Sequence, residues 1–353
     1  MRTINMRSTA QSVQGQGVSS CYVEQVKLVR DGLKDNYQVF ENAHGRFDIL
    51  HYHTVNLRYF FERFIKRRKS ISVGYVHFLP DTIDDSLNLP WISRKAFYWY
   101  LLNFYNSMDY LVTVNPSIVK KIEDYGINRP KICFIPNFVS EDNFYDKTID
   151  EKVKIRQKYE IEPDKFVVLG AGQLQRRKGV FDFIETAKLL PEVQFVWAGG
   201  FSFGKITDGY EPIKKIVAHP PKNVKFLGII PREEMAEVYN LADLFFLPSF
   251  DELFPMTILE ALCCKKPILL RDIEIYKEIL FDAYLKADDP EGFARIISEL
   301  SKAPEQTDYW REKSWKCHKL YSKETILKQW GNFYNAVYEK STNPQAVLME
   351  EIV

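Results

Sequence analysis

The hydrophobic positions of this chain fall into short apolar runs separated by longer amphipathic stretches. A short apolar run bounded by turn residues is typical of a buried strand, and apolar residues spaced three and four apart are typical of a helix. Strands that alternate with helices predict an α/β fold, in which parallel sheets are covered by helices on both faces. The predicted strands span residues 47–50, 72–76, 110–114, 132–135, 166–172, 194–198, 224–230, 243–247 and 267–271.

This alternation is interrupted between residues 140 and 163, where the chain is charged and has no strand pattern. The 353 residues are also too many for one ordinary hydrophobic core. We therefore predict two Rossmann-like domains, residues 1–145 and 146–322, that face each other across a cleft. We also predict a helix over residues 323–340, which could pack back on the first domain. A loose tail over residues 341–353 follows it.

Composition and charge narrow the function classes. A formal net charge of +1 gives no support to bulk nucleic-acid binding, so no nucleic-acid partner is expected. The five cysteines have no C-x-x-C spacing, which argues against a zinc site and a disulfide framework and favours a reducing cytoplasm. Residues 1–20 lack the apolar core of a secretory signal, and no apolar run approaches the ~18 residues of a transmembrane helix. We expect a cytoplasmic protein that does not cross a bilayer.

The stretch from residue 250 to residue 262 is the first candidate site. A predicted strand runs into a loop that contains Glu252. Pro255 and Thr257 then begin a helix, and Glu260 follows on it eight positions after Glu252. The unpaired N–H groups of a helix N-terminus attract an anion, and ionised carboxylates accept hydrogen bonds from sugar hydroxyl groups. Taken alone, such a pair is more commonly a solvated loop residue and a helix-surface charge.

A basic loop, residues 172–179, lies between a predicted strand and a predicted helix. Arg176, Arg177 and Lys178 are suited to hold a diphosphate and to offset the charge that develops on it as a leaving group. An exposed basic turn is the ordinary alternative. Residues 199–206 come close to a phosphate-binding P-loop, but Ile206 replaces the Ser or Thr that would bind magnesium, so we do not predict an NTPase.

Two features of the first half indicate a ligand more weakly. His77 directly follows a predicted strand, and ligands of parallel sheets bind at the carboxyl ends of strands, although a lone histidine is more often structural. The glycines of residues 14–17 either let a ligand approach the backbone closely or form a plain flexible turn.

Residues 58–69 contain six basic residues and one acidic residue. At helical spacing Phe60, Phe61 and Phe64 gather with Ile65 on one side, which is typical of a helix that docks on a membrane surface or an acidic partner. The alternative is a helix packed on the sheet with a solvated basic face. The aromatic residues between 91 and 110 either belong to the core or line a lipid-facing cleft.

The residues of the first candidate site carry a family resemblance. Glu252, Phe254, Pro255, Thr257 and Glu260 together resemble the E-x7-E signature of the family-4 retaining glycosyltransferases, which have the GT-B fold. Leu253 and Pro255 depart from that pattern, since many members of the family carry glycine there.

The basic loop is similar to the Gly-Arg-x-x-x-x-Lys-Gly loop of the same family, whose Arg and Lys hold the donor diphosphate. Lys178 matches the Lys, whereas Gln173 stands where the Arg would be, and we take Arg177 as its replacement. The resemblance implies metal-independent transfer from a UDP-sugar with no cofactor. No Asp-x-Asp pair, the metal-binding signature of the other large glycosyltransferase fold, occurs in the chain.

The resemblance also assigns roles to individual residues. It implies that Glu252 contacts the transferred sugar, that His77 reaches this sugar from the opposite domain, and that Lys178 acts on the leaving diphosphate. It implies that Glu260 holds the ribose. The residues implied in donor binding are Gly17, Arg177, Lys178, Phe254, Pro255, Met256, Thr257 and Glu260.

The first half suggests an acceptor. Residues 14–18, 51–53 and 75–80 look similar to Gram-positive glycolipid enzymes that add galactose to glucosyl-diacylglycerol. This resemblance implies transfer of a hexose to a membrane glycolipid, giving an α-linked diglycosyl-diacylglycerol. The enzyme would sit peripherally on the inner face of the cell membrane, docked on anionic lipid through residues 58–69. Diacylglycerol or a cell-wall or capsule glycan as acceptor, UDP-sugar epimerisation and a non-catalytic partner subunit are the alternatives.

Overall fold

The computed structural model describes residues 1–10, 17–66, 70–80, 91–127, 132–202, 204 and 207–342. Residues 14–16 of the glycine-containing loop, residues 67–69 of the basic stretch and residues 343–353 of the predicted tail therefore lie outside the described residues. The same holds for residues 203, 205 and 206 of the segment that is similar to a P-loop.

The first half contains one six-stranded sheet. Its strands are β1 (Arg2–Arg7), β2 (Tyr37–Glu41), β3 (Ile49–Tyr52), β4 (Ile71–Val76), β5 (Tyr110–Thr113) and β6 (Ile132–Phe134). They are parallel and lie in the order β2-β1-β3-β4-β5-β6. The helices described in this half are α1 (Gly17–Gly32), α2 (Leu57–Lys66), α3 (Trp91–Ser107) and α4 (Pro116–Asp124).

The second half repeats this architecture after helix α5 (Ile149–Lys158). Its strands are β7 (Val167–Ala171), β8 (Gln194–Ala198), β9 (Val224–Gly228), β10 (Leu244–Leu247), β11 (Ile268–Arg271) and β12 (Leu285–Ala287). They are parallel in the order β12-β11-β10-β7-β8-β9. The helices are α6 (Val180–Leu189), α7 (Tyr210–Ala218), α8 (Arg232–Asn240), α9 (Met256–Cys263), α10 (Glu274–Leu280), α11 (Pro290–Lys302), α12 (Pro304–Leu320) and α13 (Lys323–Thr342).

The strand order reverses once in each sheet, between β1 and β3 and between β7 and β10. Crossover connections leave in opposite directions at such a point, which opens a crevice at the carboxyl ends of the two strands. Both loops of the second-half candidate site, after β7 and after β10, begin at the reversal of the second sheet.

Strands β1, β2 and β12 were not predicted from the sequence. Strand β1 reads polar because it contains Asn5 and Arg7, yet both side chains are buried. The Asn5 amide donates to the Ala43 carbonyl at 2.8 Å, and the Arg7 Nε donates to Glu62 at 3.0 Å. These partners are 38 and 55 residues away, so the local pattern gives no sign that the polar groups are satisfied.

Helix α13 lies against the first half, although it follows the second half in the chain. It contacts α1 and β4, and it buries Trp330, Phe333, Tyr334 and Val337. The Tyr334 hydroxyl lies 2.8 Å from His51 Nδ1. No helix among the described residues combines the length and the apolarity that crossing a membrane requires.

Candidate functional site

The basic loop after β7 and the acidic loop after β10 contact each other through a glycine. Gly179 has φ +70°, and a Cβ atom at this position would lie 2.1 Å from the Pro248 carbonyl oxygen. Only glycine allows both the left-handed conformation and this approach. The Phe250 amide then donates to the Arg177 carbonyl at 2.8 Å. This close approach is what brings the cations of one loop to the carboxylate of the other.

Glu252 is surrounded by these cations. Its Oε1 lies 2.5 Å from Lys178 Nζ and its Oε2 lies 3.6 Å from Arg177 Nη1, while Arg177 also donates to the Asp251 carbonyl at 2.5 Å. Glu252 is buried. Burial alone would raise the pKa of Glu252, but Lys178 and Arg177 outweigh burial and hold this pKa below its usual range. The carboxylate is therefore ionised and fixed between two cations.

The other members of the basic loop lie elsewhere. Arg176 is 60% exposed and lies 3.5 Å from Asp208. The Gln173 side chain accepts from Gln175 Nε2 at 2.7 Å. Of the two arginines in this loop, Arg177 therefore lies beside Glu252. Arg177 must lie there if it replaces the Arg that the family carries at the position of Gln173.

Glu260, on α9, is buried and held by two donors from α8. Arg232 Nη1 lies 2.8 Å from its Oε1, and the Tyr239 hydroxyl donates to its Oε2 at 2.7 Å. Burial raises the pKa of Glu260, and Arg232 and Tyr239 only partly oppose this rise. Arg232 also bonds Glu24 on α1, at 2.7 Å, so this site spans both halves.

A cleft of about 530 Å³ lies beside Glu260. Gly17, Met256, Thr257 and Glu260 of the predicted donor-binding residues line it, together with further residues of both halves. A Cβ atom at Gly17 would lie 4.0 Å from Met256 Cγ, so the first residues of α1 and α9 meet at the cleft. Two helix N-termini that converge on one space favour an anionic ligand there.

Two further observations are consistent with a polar ligand in the cleft. The Thr257 hydroxyl oxygen is buried and has no hydrogen-bond partner within the described part of the chain, and an unpaired buried hydroxyl is costly without a ligand or water. Lys178 and Glu252 do not line the cleft, but a Cβ atom on its lining residue Gly172 would lie 3.8 Å from Lys178 Cδ and Cε. The basic loop therefore begins in the cleft wall at Gly172, and the stem of Lys178 lies directly behind that residue.

Two asparagines of the first half hydrogen-bond to the backbone of the residues that follow Glu252. The Asn115 amide donates to the Leu253 carbonyl at 3.0 Å, and the Asn137 amide donates to the Phe254 carbonyl at 3.1 Å. The Phe254 ring packs on Tyr321, with 5.0 Å between the ring centroids, and its side chain does not line the cleft. Pro255 is the residue that precedes α9 and likewise does not line the cleft.

His77 follows β4 and belongs to a cluster of rings. Its ring centroid lies 4.3 Å from that of Tyr75 and 6.0 Å from that of His53, and His53 lies 4.4 Å from His51. Burial lowers the pKa of His51 and of His77 to about 3, and it lowers the pKa of His53 still more clearly, so all three rings are neutral.

The polar atoms of this histidine cluster are largely unpaired. Both nitrogens of His53, and Nε2 of His51 and of His77, are buried without a partner among the residues that the structure describes. No group of three or more His, Cys, Asp or Glu side chains in the described ranges is placed to hold a metal ion. Neutral imidazoles each carry one donor and one acceptor, which suits hydroxyl groups or water.

Sequence reasoning missed Glu24, Arg232 and Tyr239, and it missed the two asparagines that hold the Glu252 loop. For the asparagines a signal was present, because Asn115 and Asn137 lie two and three residues after strands β5 and β6 and the carboxyl ends of parallel strands gather at one edge. For the other three no local signal exists, since 208 residues separate Glu24 from Arg232.

Comparison with known families and proteins gives consistent matches. The model of "Glycosyl transferases group 1" matches residues 151–316, and the model of "Glycosyltransferase Family 4" matches residues 28–143. The alpha-galactosylglucosyldiacylglycerol synthase of Streptococcus pneumoniae is 44% identical over 94% of this chain and 88% of its own length. The processive diacylglycerol alpha-glucosyltransferase of Acholeplasma laidlawii is 31% identical over 58% of this chain and 61% of its own length.

Solved structures share the architecture at low identity. A crystal structure of Anabaena HepE with UDP and glucose has a TM-score of 0.78 at 17% identity and covers 95% of this chain and 100% of its own. The sucrose-phosphate synthase of Thermosynechococcus elongatus has a TM-score of 0.78 at 15% identity, with 96% and 100% covered. The α/β class with two Rossmann-like sheets and the GT-B fold are therefore confirmed.

Proposed function

Because the chain belongs to family 4 of the glycosyltransferases, we propose that it transfers a hexose, galactose in our assignment, from a UDP-sugar to a glycolipid. The observation that carries the donor assignment is the cleft at which the first residues of α1 and α9 meet beside Glu260. A nucleoside diphosphate offers an anion to the helix N-termini and ribose hydroxyls to the carboxylate.

The loops behind the cleft supply the charges that transfer needs. The departing UDP gains negative charge, and Lys178 and Arg177 would offset it. Burial lowers the pKa of Lys178, and the contact of Lys178 Nζ with Glu252 at 2.5 Å opposes this shift and keeps the ammonium in position for a phosphate. Glu252 and His77 are proposed to contact the transferred sugar. These roles need no metal ion, and we propose that transfer is metal-independent.

The acceptor assignment rests on the similar Streptococcus pneumoniae protein, whose name specifies an alpha-galactosylglucosyldiacylglycerol. We assign glucosyl-diacylglycerol as the acceptor and an α-linked diglycosyl-diacylglycerol as the product. The neutral, unpaired imidazoles at the carboxyl ends of β3 and β4 are compatible with an uncharged sugar acceptor.

An acceptor in a bilayer requires the enzyme to reach the membrane surface. Helices α2 and α3 contact each other, and together they expose six large apolar side chains that are each 62–81% accessible. These residues, which we call the docking patch, are Leu57, Phe61, Ile65, Trp91, Ile92 and Trp99. They differ in part from the predicted face, because Phe60 packs inward, with its ring 5.6 Å from Tyr100 and 6.4 Å from Phe104.

The charge around the docking patch favours anionic lipid. Arg58 and Lys95 are exposed, and Lys95 Nζ lies 5.1 Å from the centre of the Trp91 ring. Glu62, the acidic residue of α2, binds the buried Arg7, so its charge is neutralised on the inner side. Exposed aromatic side chains flanked by cations bind the headgroup region of anionic bilayers. We propose peripheral attachment to the inner face of the cell membrane through this patch.

Transfer by the purified chain tests the function. The chain is incubated with UDP-galactose or UDP-glucose and vesicles that contain glucosyl-diacylglycerol, diacylglycerol or neither, and the lipids are separated by thin-layer chromatography. We expect a diglycosyl-diacylglycerol from UDP-galactose and glucosyl-diacylglycerol, with an α linkage by NMR. A product from diacylglycerol alone would reassign the acceptor. A parallel incubation replaces the vesicles with cell-wall glycan, and no transfer from either donor to any of these acceptors would indicate a non-catalytic subunit.

Vesicle co-sedimentation tests the docking patch. Binding should rise with phosphatidylglycerol content and fall with salt. The variant Phe61→Ser/Ile65→Ser/Trp99→Ser should sediment less and transfer more slowly to vesicles, with unchanged affinity for UDP. Ile149→Ser, which removes an equally exposed side chain far from the patch in sequence, is the matched control. Changing Lys66, Arg67, Arg68 and Lys69 to Ser tests the basic stretch separately. Wild-type sedimentation of the triple variant would exclude the patch.

A further inference from the structure

Arg232 connects the two halves through two buried carboxylates. It is the first residue of α8, and its guanidinium lies between Glu260 on α9 and Glu24 on α1, at 2.8 Å and 2.7 Å. Both carboxylates are less than 5% exposed. The guanidinium also lies 5.2 Å from the centre of the Phe144 ring. One planar cation thus satisfies two acids that lie on helices of different halves.

This arrangement leaves Glu260 able to bind a ligand. One oxygen accepts from Arg232 and the other from Tyr239. A carboxylate has about four lone-pair positions, so about two remain for hydroxyl groups in the cleft that Glu260 lines. Because both existing bonds fix the plane of the carboxylate, the remaining positions have a defined direction before any ligand arrives.

Helix α1 is tied to the same point. Gly17, Ser19, Ser20 and Val23 of α1 line the cleft, and Glu24 follows directly on this helix. The bond from Glu24 to Arg232 therefore fixes the distance between the first-half wall of the cleft and the carboxylate in its second-half wall. A second weak contact, from the Asn143 amide to Glu24 at 3.4 Å, does not reach Glu260.

We propose that Arg232 is a positioning residue for the donor, which orients Glu260 toward the ribose and couples α1 to the cleft through Glu24. This inference rests on the proposed function, because it assumes that the cleft binds a UDP-sugar. It adds a role that neither the E-x7-E signature nor the basic loop contains.

Removal of the Arg232 guanidinium would change the pKa of Glu260 as well as the packing around it. The titratable groups around Glu260 are Arg232 and Tyr239 on α8, Glu24 on α1, and Cys263 and Cys264 at the end of its own helix. Arg232 lowers the pKa of Glu260 and Glu24 raises it, and burial raises it most. Without the guanidinium this pKa rises further, so that Glu260 takes up a proton at a higher pH than in the wild type and is then a weaker acceptor.

The test is the KM for UDP-galactose and the kcat, measured between pH 6 and 8.5. Arg232→Gln should raise the KM about tenfold at pH 7, and more at pH 6, with a much smaller change in kcat. Arg232→Lys keeps a positive charge but lacks the fork that reaches both acids, so it should restore the pH profile and only part of the affinity.

Glu24→Gln should raise the KM about threefold without new pH dependence. Lys158→Gln, which removes ion pairs to Glu234 and Glu237 on the outer face of α8, is the control and should behave as the wild type.

The outcomes separate this inference from the proposed function. A wild type that neither binds UDP in calorimetry nor transfers a hexose would refute the proposed function. A wild type that binds UDP, together with an Arg232→Gln variant of unchanged KM and pH profile, would refute the inference alone. If Arg232→Gln does not fold, Tyr239→Phe decides, because it removes the other donor to Glu260 and should raise the KM increasingly as the pH falls. Unchanged donor kinetics in Tyr239→Phe would then overturn the inference.

Discussion

The two halves of the molecule share a six-stranded parallel sheet with one reversal of strand order, yet the ionisable groups after β3 and β4 of the first sheet differ in kind from those after β7 and β10 of the second. At the carboxyl ends of the second sheet, charged side chains are paired, Lys178 with Glu252 and Arg232 with Glu260. A buried charge is costly unless it has a partner, and here each charge has one.

In the first half, by contrast, the carboxyl ends of β3 and β4 carry histidines that burial keeps neutral, and most of their ring nitrogens have no partner within the described residues. One architecture can therefore provide two kinds of binding chemistry. Paired charges suit a nucleotide-sugar whose diphosphate brings negative charge. Neutral hydrogen-bond donors and acceptors suit the hydroxyl groups of a sugar.

The largest effect is expected where a charge pair is broken. Among the described residues, Lys178→Ala leaves Arg177, at 3.6 Å, as the remaining counter-ion of the buried Glu252, and it removes the ammonium whose stem lies behind Gly172 of the cleft. The turnover rate should fall on the order of 10²-fold or more, with a folded protein by circular dichroism. Lys188→Ala, which removes an exposed ion pair with Glu185 on α6, is the control. Wild-type kinetics for Lys178→Ala would end the diphosphate assignment.

A smaller effect should come from the histidines of the first half. The pKa of His51 is about 3 in the folded chain, whereas an unfolded histidine has a pKa near 6.5, so the unfolded chain takes up a proton first. The stabilisation is present above about pH 6.5 and is lost as the pH falls, at a cost of about 2 kcal/mol by pH 5. Urea unfolding at pH 7.5 and pH 5 measures it.

The same pH window distinguishes His51 from Glu252. The pKa of Glu252 is below its usual range, so its stabilisation is lost only at a pH below about 4.5, outside this window. His51→Phe should therefore reduce the loss of stability between pH 7.5 and pH 5, whereas His44→Phe, at an exposed position, should not. An identical pH dependence in His51→Phe and the wild type would contradict the neutral-histidine picture.

A finer comparison concerns two neighbours in the basic loop. Arg177 contacts Glu252 and the Asp251 carbonyl, whereas Arg176 is mostly exposed. Arg177→Ala should lower the transfer rate about tenfold, and Arg176→Ala less than about twofold. Equal and mild effects would mean that Lys178 and the helix N-termini suffice for the diphosphate.

The smallest effect is expected from metal removal. If the paired side chains offset the charge of the leaving group, transfer in excess EDTA should stay within about twofold of the untreated rate. Loss of activity that magnesium or manganese restores would show that the second half depends on a metal after all.

Much of the second half could be predicted from local sequence. The loops after β7 and β10 were placed correctly because an apolar run, a polar loop and an amphipathic stretch are patterns of adjacent residues. The structure brings Arg177 and Lys178 to Glu252 as those patterns suggested, and the catalytic and donor-binding roles of these residues stay predictions until the variants are measured.

The first half was less predictable. Strand β1 reads polar, and its burial depends on Glu62 and Ala43, far along the chain. His77 was singled out alone, whereas the structure places it in a cluster with His53 and His51 whose nitrogens lack partners among the described residues. A pattern of adjacent residues contains no information about which distant side chains will share a buried space.

The sequence by itself determined the alternation of strands and helices, the family, and the loops that carry the charged residues, because each follows from residue types at short spacing. Only the tertiary structure decided which charges are paired and which rings are neutral. Burial and partner distance set ionisation, and both depend on contacts such as Arg232 with Glu24, between residues 208 positions apart. The site is therefore assembled from locally encoded loops, while its electrostatics belong to the folded molecule.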